Sequence, residues 1–210
     1  MRADKFFTAE EQEKIEQAVA AAEQRTSGEI VPMIVAASSR YAEIDLTCLL
    51  AGLLLGTLAA LMWGNPWGLT HAELAWPIGG AALGLLLCQL TPLKRRLIPT
   101  ARIMEAVHLR SLAAFTAHGL HYTTAHTGIL IFASLFERRV EVLADRGINE
   151  KVKPGTWDGI VGILTSGLKS NDGCAAFCAA IDECGKILAE HFPRSPDDRD
   201  ELKNKLVTEE

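Results

Sequence analysis

The sequence predicts an α/β protein whose single domain is interrupted by a transmembrane hairpin. Two observations predict this. Segments typical of helices and strands occur on both sides of a long stretch that almost lacks charge, residues 46–93. The flanking segments follow the order α-β and then α-β-β-α-α, so the stretch interrupts a β-α-β crossover, a connection that places two strands in one sheet.

The average composition conceals two different populations of residues. The chain has 49% hydrophobic residues, a net charge of −5 and a mean hydropathy of +0.14. Within residues 46–93 the only charged side chain is that of Glu73, whereas the other 162 residues hold all 21 Lys and Arg and 25 of the 26 Asp and Glu, so 28% of them are charged. The high apolar content excludes a disordered chain. Because the chain has no excess of positive charge, a nucleic-acid partner bound through a basic surface is also excluded.

Residues 46–63 and 74–93 are the two predicted spans. As helices they would extend roughly 27 and 30 Å, close to the hydrocarbon thickness of a bilayer. The residues 64–68 (GNPWG) between them are typical of a turn. Tryptophans near this turn suit a membrane interface, and glycines suit close helix packing in lipid. These residues are Trp63, Trp67, Trp76, Gly52, Gly56, Gly79, Gly80 and Gly84. The alternative is a pair of buried helices in a large soluble core.

Basic residues predict the orientation of this hairpin. Lys94, Arg95 and Arg96 follow the second span and Arg40 precedes the first, whereas the connecting loop has neither Lys nor Arg. The positive-inside rule therefore places both flanks in the cytoplasm. The first residues lack an apolar run behind their basic side chains, so we expect no cleavable signal peptide.

The first helix and strand have clear boundaries. Residues 8–11 (TAEE) form a capping box for a helix, and residues 26–28 (TSG) end it. Residues 29–35 then predict a strand, in which Pro32 favours an edge position or a local irregularity.

The second half supplies the remaining elements. Residues 100–118 predict a helix that Gly119 ends. Residues 127–135 and 139–143 predict strands of an antiparallel hairpin, because only three residues separate them. A helix over 149–170 is predicted with an early interruption at Pro154-Gly155, and a last helix is capped by Asp172 or Asn171, with Phe177, Ile181, Cys184 and Leu188 at helical spacing.

The predicted domain boundaries follow from these elements. Residues 1–45 and 94–192 are the two parts of the α/β domain, and residues 46–93 are the transmembrane hairpin. Residues 193–210 are polar and charged, which predicts a flexible tail.

Two groups of short motifs carry a family resemblance. The first is Phe7-x2-Glu10-Glu11 followed by Glu23-x2-Thr26-Ser27-Gly28-Glu29-Ile30, and the second runs from residues 127–131 (TGILI) through 137–142 (ERRVEV) to 145–148 (DRGI). Their order and spacing resemble those of the TPM domain family over residues 5–37 and 100–192. The resemblance is to bacterial membrane proteins of that family with a hairpin inserted at this place.

This resemblance implies an α/β/α sandwich around a small mixed sheet. It also implies a multi-pass protein of the bacterial inner membrane, whose termini and α/β domain the basic flanks place in the cytoplasm. The family includes a thylakoid-lumen acid phosphatase, a photosystem II maintenance protein and a modulator of acetylcholine receptors.

Glu137, Arg138 and Asp145 are the candidate site residues. They match the family's turn and the segment after it, where some members carry aspartates that bind calcium or are proposed for phosphatase activity. Carboxylates are ligands for Ca²⁺ or another divalent cation, and an arginine can hold a phosphate. This chain has Glu-Arg-Arg where the family commonly has Asp-Arg. The alternative is a solvated turn with local ion pairs.

Other polar residues give weaker indications. Three histidines lie close together in sequence, at positions 118, 121 and 126. No cysteine or carboxylate stands near them at a spacing typical of zinc ligands, so we interpret them as polar residues at a helix end. Three cysteines of the last helix, at positions 174, 178 and 184, read as small core residues. The chain has no phosphate-binding glycine loop, no nucleophile elbow and no cysteine phosphatase loop.

Two functions from different classes are compatible with these observations. The first is a membrane-anchored interaction module that assists assembly, maintenance or quality control of membrane proteins, with the bilayer and a membrane protein as partners. The alternative is a weak phosphatase that depends on a divalent metal and uses Glu137, Asp145 and an arginine. Whether the protein is an enzyme is left open by the sequence.

The predicted orientation can be tested by cysteine labelling. A cysteine introduced at Gly68 should react with a membrane-impermeant maleimide in intact cells, because the loop faces outward. A cysteine at Glu150 should react only after permeabilisation. The native cysteines are replaced by serine in both variants, and the reverse labelling pattern would overturn the orientation.

Overall fold

The computed structural model describes residues 3–63, 72–123, 125–194, 201–202 and 204–209. Within these ranges the chain forms eight α-helices and a four-stranded mixed sheet, which confirms the predicted α/β class. The chain divides into a sheet unit, Met1–Ser38 with Glu105–Glu210, and a helical unit, Ser39–Met104. The predicted turn at residues 64–68, including Trp67, lies outside the described residues.

The elements are numbered in chain order. The strands are β1 (Glu29–Val35), β2 (Gly128–Ser134), β3 (Arg139–Ala144) and β4 (Val207–Glu209). The helices are α1 (Ala9–Glu23), α2 (Ala42–Trp63), α3 (Ala72–Cys88), α4 (Thr91–Leu97), α5 (Thr100–Ala117), α6 (Arg146–Asn149), α7 (Asp158–Lys169) and α8 (Gly173–His191).

The predicted capping box starts α1. The Thr8 amide donates to Glu11 Oε2 at 2.8 Å, and the Glu11 amide donates to Thr8 Oγ1 at 3.3 Å. These bonds satisfy two amides that a helix N-terminus otherwise leaves unpaired. The helix then buries one side, with Ile15, Val19 and Ala22 in the core.

The sheet has the strand order β3-β2-β1-β4. β1 and β2 are parallel, with Glu29 opposite Gly128 and Val35 opposite Ser134. β2 and β3 are antiparallel, as predicted for the hairpin. Because parallel neighbours need a crossover, α5 returns the chain from one end of the sheet to the other before β2 begins.

Helices cover both faces of the sheet. Ile30 and Ile34 of β1 are buried in one core with α1, α7 and α8. On the opposite face the Ser111 hydroxyl of α5 donates to Glu141 Oε2 at 2.9 Å, and Glu141 lies opposite the buried Phe132 of β2. The two central strands are therefore buried on both sides, which explains their continuous apolar sequences.

The C-terminal segment adds a strand where the sequence predicted a flexible tail. Val207–Glu209 pair in parallel with Met33–Val35 of β1, and Arg110 Nη2 lies 2.5 Å from Glu209 Oε2. Three residues after a charged stretch have no periodicity that could reveal a strand. The segment is ordered by contacts with β1 and α5, which are distant in sequence.

Pro32 accordingly lies in an internal strand, whereas the sequence predicted an edge position or a local irregularity. The Ile30 amide donates to Glu23 Oε1 at 2.9 Å, and the Ala36 amide donates to Glu209 O at 3.0 Å. Since amide directions alternate along a strand, the Pro32 nitrogen also faces the β4 side. The pairing with β4 begins only at Met33, so the missing N–H of Pro32 interrupts no ladder.

The predicted helix over 149–170 forms only in its second part, as α7, and the chain before it is a loop that follows the short α6. α6 ends at Asn149 and α7 begins at Asp158. Pro154 and Gly155 lie between them, and Gly155 has φ of +83°. Pro154 and the left-handed Gly155 keep residues 150–157 out of a helix, so α7 begins only after them.

In the helical unit, α2 and α3 pack antiparallel through a glycine contact formed by Gly52, Gly56, Gly80 and Gly84. A Cβ atom on Gly52 would lie 2.2 Å from the carbonyl oxygen of Gly80, and one on Gly84 would lie 2.3 Å from that of Cys48. The two backbones therefore approach more closely than any side chain permits. Gly79, predicted to serve the same purpose, has open space around it.

The segment predicted as the second span does not form one straight helix. α3 ends at Cys88, and α4 follows at 96° to it. Leu90 has extended backbone angles, and Pro92 lies in the first turn of α4, where its missing N–H costs nothing. Among the described helices, α2 is the one that is by itself long and apolar enough to cross a bilayer. If α3 and α4 are counted together as one bent span, the described residues contain two candidate spans.

The bond between Arg110 and Glu209 predicts a local effect on β4. R110A should lower the free energy of unfolding by at most about 1 kcal/mol, because the pair is half-exposed. It should also accelerate hydrogen exchange of the amides in Val207–Glu209, measured by mass spectrometry. R25A, which removes a similarly exposed pair with Asp182, is the control and should leave those amides unchanged. Equal exchange in both variants would contradict the role of Arg110.

Candidate functional site

Glu137 is buried in the turn between β2 and β3, at the carboxyl ends of β1 and β2. The Ser38 amide donates to its Oε1 at 3.0 Å, and the Ser134 hydroxyl donates to its Oε2. A buried carboxylate is tolerated when such donors replace water. Glu137 thus fixes Ser38, the last residue of the sheet unit before the chain enters the helical unit.

Arg138 follows in the same turn with an exposed side chain. Its φ of +53° is a left-handed conformation that tight turns require and that most residues avoid. The backbone there is consequently constrained by the turn.

Asp145 lies at the other end of β3, where it caps α6. The Arg146 amide donates to Asp145 Oδ1 at 2.7 Å, and His126 Nδ1 lies 3.2 Å from Asp145 Oδ2. The Asp145 amide donates to Gly128 O at 2.9 Å, which joins this cap to the start of β2. The carboxylate therefore organises the connection between the hairpin and α6.

The structure does not bring Glu137 and Asp145 together. The six residues of β3 separate them, about 20 Å at the usual rise of a strand. Among the described residues, no group of three or more His, Cys, Asp or Glu side chains has the geometry to hold a metal ion. One metal or phosphate could not contact both carboxylates in this arrangement.

The three neighbouring histidines also have separate surroundings. His118 Nε2 lies 3.8 Å from Glu209 Oε1, and His126 contacts Asp145. The ring of His121 packs on Tyr122, with 3.8 Å between ring centroids.

The cysteines of α8 have the properties of packing residues. Burial raises the pKa of the Cys184 thiol far above its usual range. Burial, with the neighbouring Cys174, raises the pKa of Cys178 to about 11. Little thiolate forms at neutral pH on either residue, so neither thiol is activated as a nucleophile.

A polar group on α5 was not predicted from the sequence. His108 Nδ1 lies 2.6 Å from Glu141 Oε1, and Ser111 binds the second oxygen of the same carboxylate. Glu141 thus stands between the serine and the histidine, whereas a catalytic triad needs histidine between serine and carboxylate. The signal in the sequence was the polar pair at positions 108 and 111 of a predicted helix, one turn apart on one face.

Arg110 of the same helix binds Glu209 on the opposite edge strand. α5 therefore contacts both edges of the sheet, β3 through Glu141 and β4 through Glu209. These side chains attach α5 to both edges of the sheet, and their geometry contains no activated nucleophile.

The comparisons with known proteins support the fold. No family model matches the chain, and no curated protein sequence matches it. The NMR structure of the BA42 protein from the psychrophilic bacterium Bizionia argentinensis is similar, with a TM-score of 0.62 and 21% sequence identity over 98% of this chain and 97% of that chain. At this identity the similarity shows a shared fold alone.

The bonds of Glu137 predict the effect of E137Q. Glutamine offers one acceptor oxygen where two are used, so we expect a loss of about 1–2 kcal/mol in the free energy of unfolding. Thermal unfolding and hydrogen exchange of the Ser38 amide measure the effect. E150Q, at an exposed carboxylate, is the control. Unchanged stability together with unchanged Ser38 exchange would contradict a structural role for Glu137.

Proposed function

We propose that this protein is a membrane-anchored, TPM-like interaction module that assists the assembly, maintenance or quality control of other membrane proteins. The observation that carries the proposal is the surface of α2. Only 11% of the most apolar 18-residue stretch of α2 is buried inside the protein. The two buried residues of the helix are glycines of the contact with α3.

The exposed side chains of α2 and α3 are unsuited to water. The large exposed residues include Leu54, Leu55, Leu61, Met62, Leu74, Ile78 and Leu86, each more than half exposed. The core helices of a soluble protein would bury such residues, since each costs about 1.5–3 kcal/mol when left in water. A bilayer provides the apolar surroundings that the described protein residues do not.

The geometry of the helical unit fits a hairpin of two spans. α2 has 22 residues, or about 33 Å of helix, and α3 runs antiparallel to it. Both flanks of the pair then lie on the same side of the membrane. The basic residues of α4 and Arg40 favour the cytoplasmic side of a bacterial inner membrane.

The sheet unit supports the TPM-like part of the proposal. A small mixed sheet with helices on both faces matches the α/β/α sandwich implied by the motif resemblance. Residues of the first motif lie between α1 and β1 and contact the end of α8. Thr26 Oγ1 donates to Phe192 O at 2.6 Å, and Gly28 lies so close to Leu188 that a Cβ would be 2.8 Å from it.

One surface of the sheet unit suits a protein partner. Among its described residues, the large hydrophobic side chains that are exposed are Leu109, Leu112 and Tyr122. The two leucines lie one turn apart on the outward side of α5. Exposed apolar residues of this kind mark interaction sites. No observation comparably favours the phosphatase alternative, because Glu137 and Asp145 are far apart.

Affinity capture tests the proposal. The full chain is captured from solubilised membranes as wild type, as L109E/L112E, and as the control A175E/A179E, which adds two glutamates to exposed positions of α8. We expect a specific membrane protein with the wild type and the control, and its loss with L109E/L112E, because a buried glutamate pair opposes an apolar interface. Capture of abundant background alone, or equal capture by all three, would overturn the proposal.

A further inference from the structure

We infer that α4 and its basic neighbours bind the anionic headgroups of phospholipids, an inference that rests on the proposed membrane anchor. The break between α3 and α4 sets the geometry. α3 has 17 residues, about 26 Å of helix, which is the lower end of the length that crosses a bilayer. Because the two helices meet at 96°, α4 lies parallel to the membrane plane when α3 crosses the bilayer along its normal. This is the orientation of an interfacial amphipathic helix.

The leucines of α4 support this placement. Leu93 and Leu97 are one turn apart, and Leu90, which precedes the helix, lies on the same side. They are 37%, 49% and 54% exposed, respectively. Three leucines on one side of a short helix can enter the boundary between headgroups and acyl chains.

The basic side chains of α4 divide into one that is paired and two that are not. Lys94 Nζ lies 2.7 Å from Asp45 Oδ1 and donates to Arg40 O at 3.2 Å, so it ties α4 to the start of α2. Arg95 and Arg96 pair with no carboxylate among the described residues. The contacts of Lys94 fix α4 beside the start of α2, and no carboxylate among the described residues neutralises Arg95 or Arg96.

The surrounding segment is strongly positive in a chain of net charge −5. Residues 40–45 and 94–102 contain five basic and two acidic side chains. Both acidic residues are paired, Asp45 with Lys94 and Glu43 with Arg102, whose Nε lies 3.3 Å from Glu43 Oε1. The remaining charge, on Arg40, Arg95 and Arg96, complements a phosphate-rich membrane surface.

The chemistry of the side chains favours phosphate over other acidic groups at a membrane. Guanidinium groups bind phosphate oxygens through two parallel hydrogen bonds. The adjacent leucines require an acyl region beside that phosphate, which a phospholipid supplies and a free phosphate lacks. Phosphatidylglycerol has both parts.

Native mass spectrometry tests this inference on the full-length protein. The protein is delipidated in detergent and titrated with phosphatidylglycerol or phosphatidylcholine. We expect about tenfold tighter retention of phosphatidylglycerol by the wild type. R95Q/R96Q should lose most of this preference, whereas R138Q/R139Q, an exposed pair of adjacent arginines in the sheet unit, should keep it. Equal retention of the two lipids, or no difference between the two double variants, would overturn the inference.

Two further measurements separate the possible failures. Excess inorganic phosphate should not displace phosphatidylglycerol, and displacement would identify a general anion site and overturn the lipid assignment. Carbonate washing of membranes tests the anchor itself: the wild type and R95Q/R96Q should both stay in the pellet. Release of the wild type by carbonate would overturn the proposed function, whereas retention without lipid preference would overturn only the headgroup site.

Discussion

The parallel pairing of β1 with β2 is the constraint on which the rest of the structure depends. Parallel neighbours cannot be joined by a tight turn, so the chain must travel from the carboxyl end of β1 to the amino end of β2. α5 makes this return. The helical unit is inserted before it, where the chain has already left the sheet, and the insertion therefore disturbs no strand pairing.

Buried glutamates in and around β1 accept backbone amides that the strand ladders leave unpaired. Glu23 accepts the Ile30 amide, and Glu29 accepts the amides of Glu201 and Leu202. Glu137 accepts the Ser38 amide beyond the other end of the strand. Each of these glutamates is buried, and its side-chain oxygens supply acceptors that a strand or water would otherwise supply. Of these, Glu137 is the candidate site residue from the sequence, and the structure uses it to fix the segment that follows β1.

Short sequence motifs predicted the elements whose hydrogen bonds join residues close together in the chain. The capping box at Thr8 and the short hairpin loop before Arg139 depend on residues a few positions apart. β4 could not be predicted in this way, because its partners Met33 and Arg110 are far away in sequence. Pro92 indicated the break after Cys88, but the second span was predicted from its lack of charged residues, and that criterion does not register a proline. The separation of Glu137 from Asp145 was already contained in the predicted strand between them, since residues on either side of a strand end up at opposite ends of it.

The position of the helical unit between β1 and β2 has a consequence for the order of folding during synthesis. Gly128 of β2, which pairs with Glu29, is synthesised 99 residues after it. Val207 of β4, which pairs with Met33, is synthesised 174 residues after it. The ribosome therefore completes α2 and α3 before either neighbour of β1 exists. Until then β1 is an apolar strand with two open edges, a state prone to mispairing. In the proposed membrane anchor, early insertion of α2 and α3 would tether β1, which only six residues separate from α2, until its partners are made.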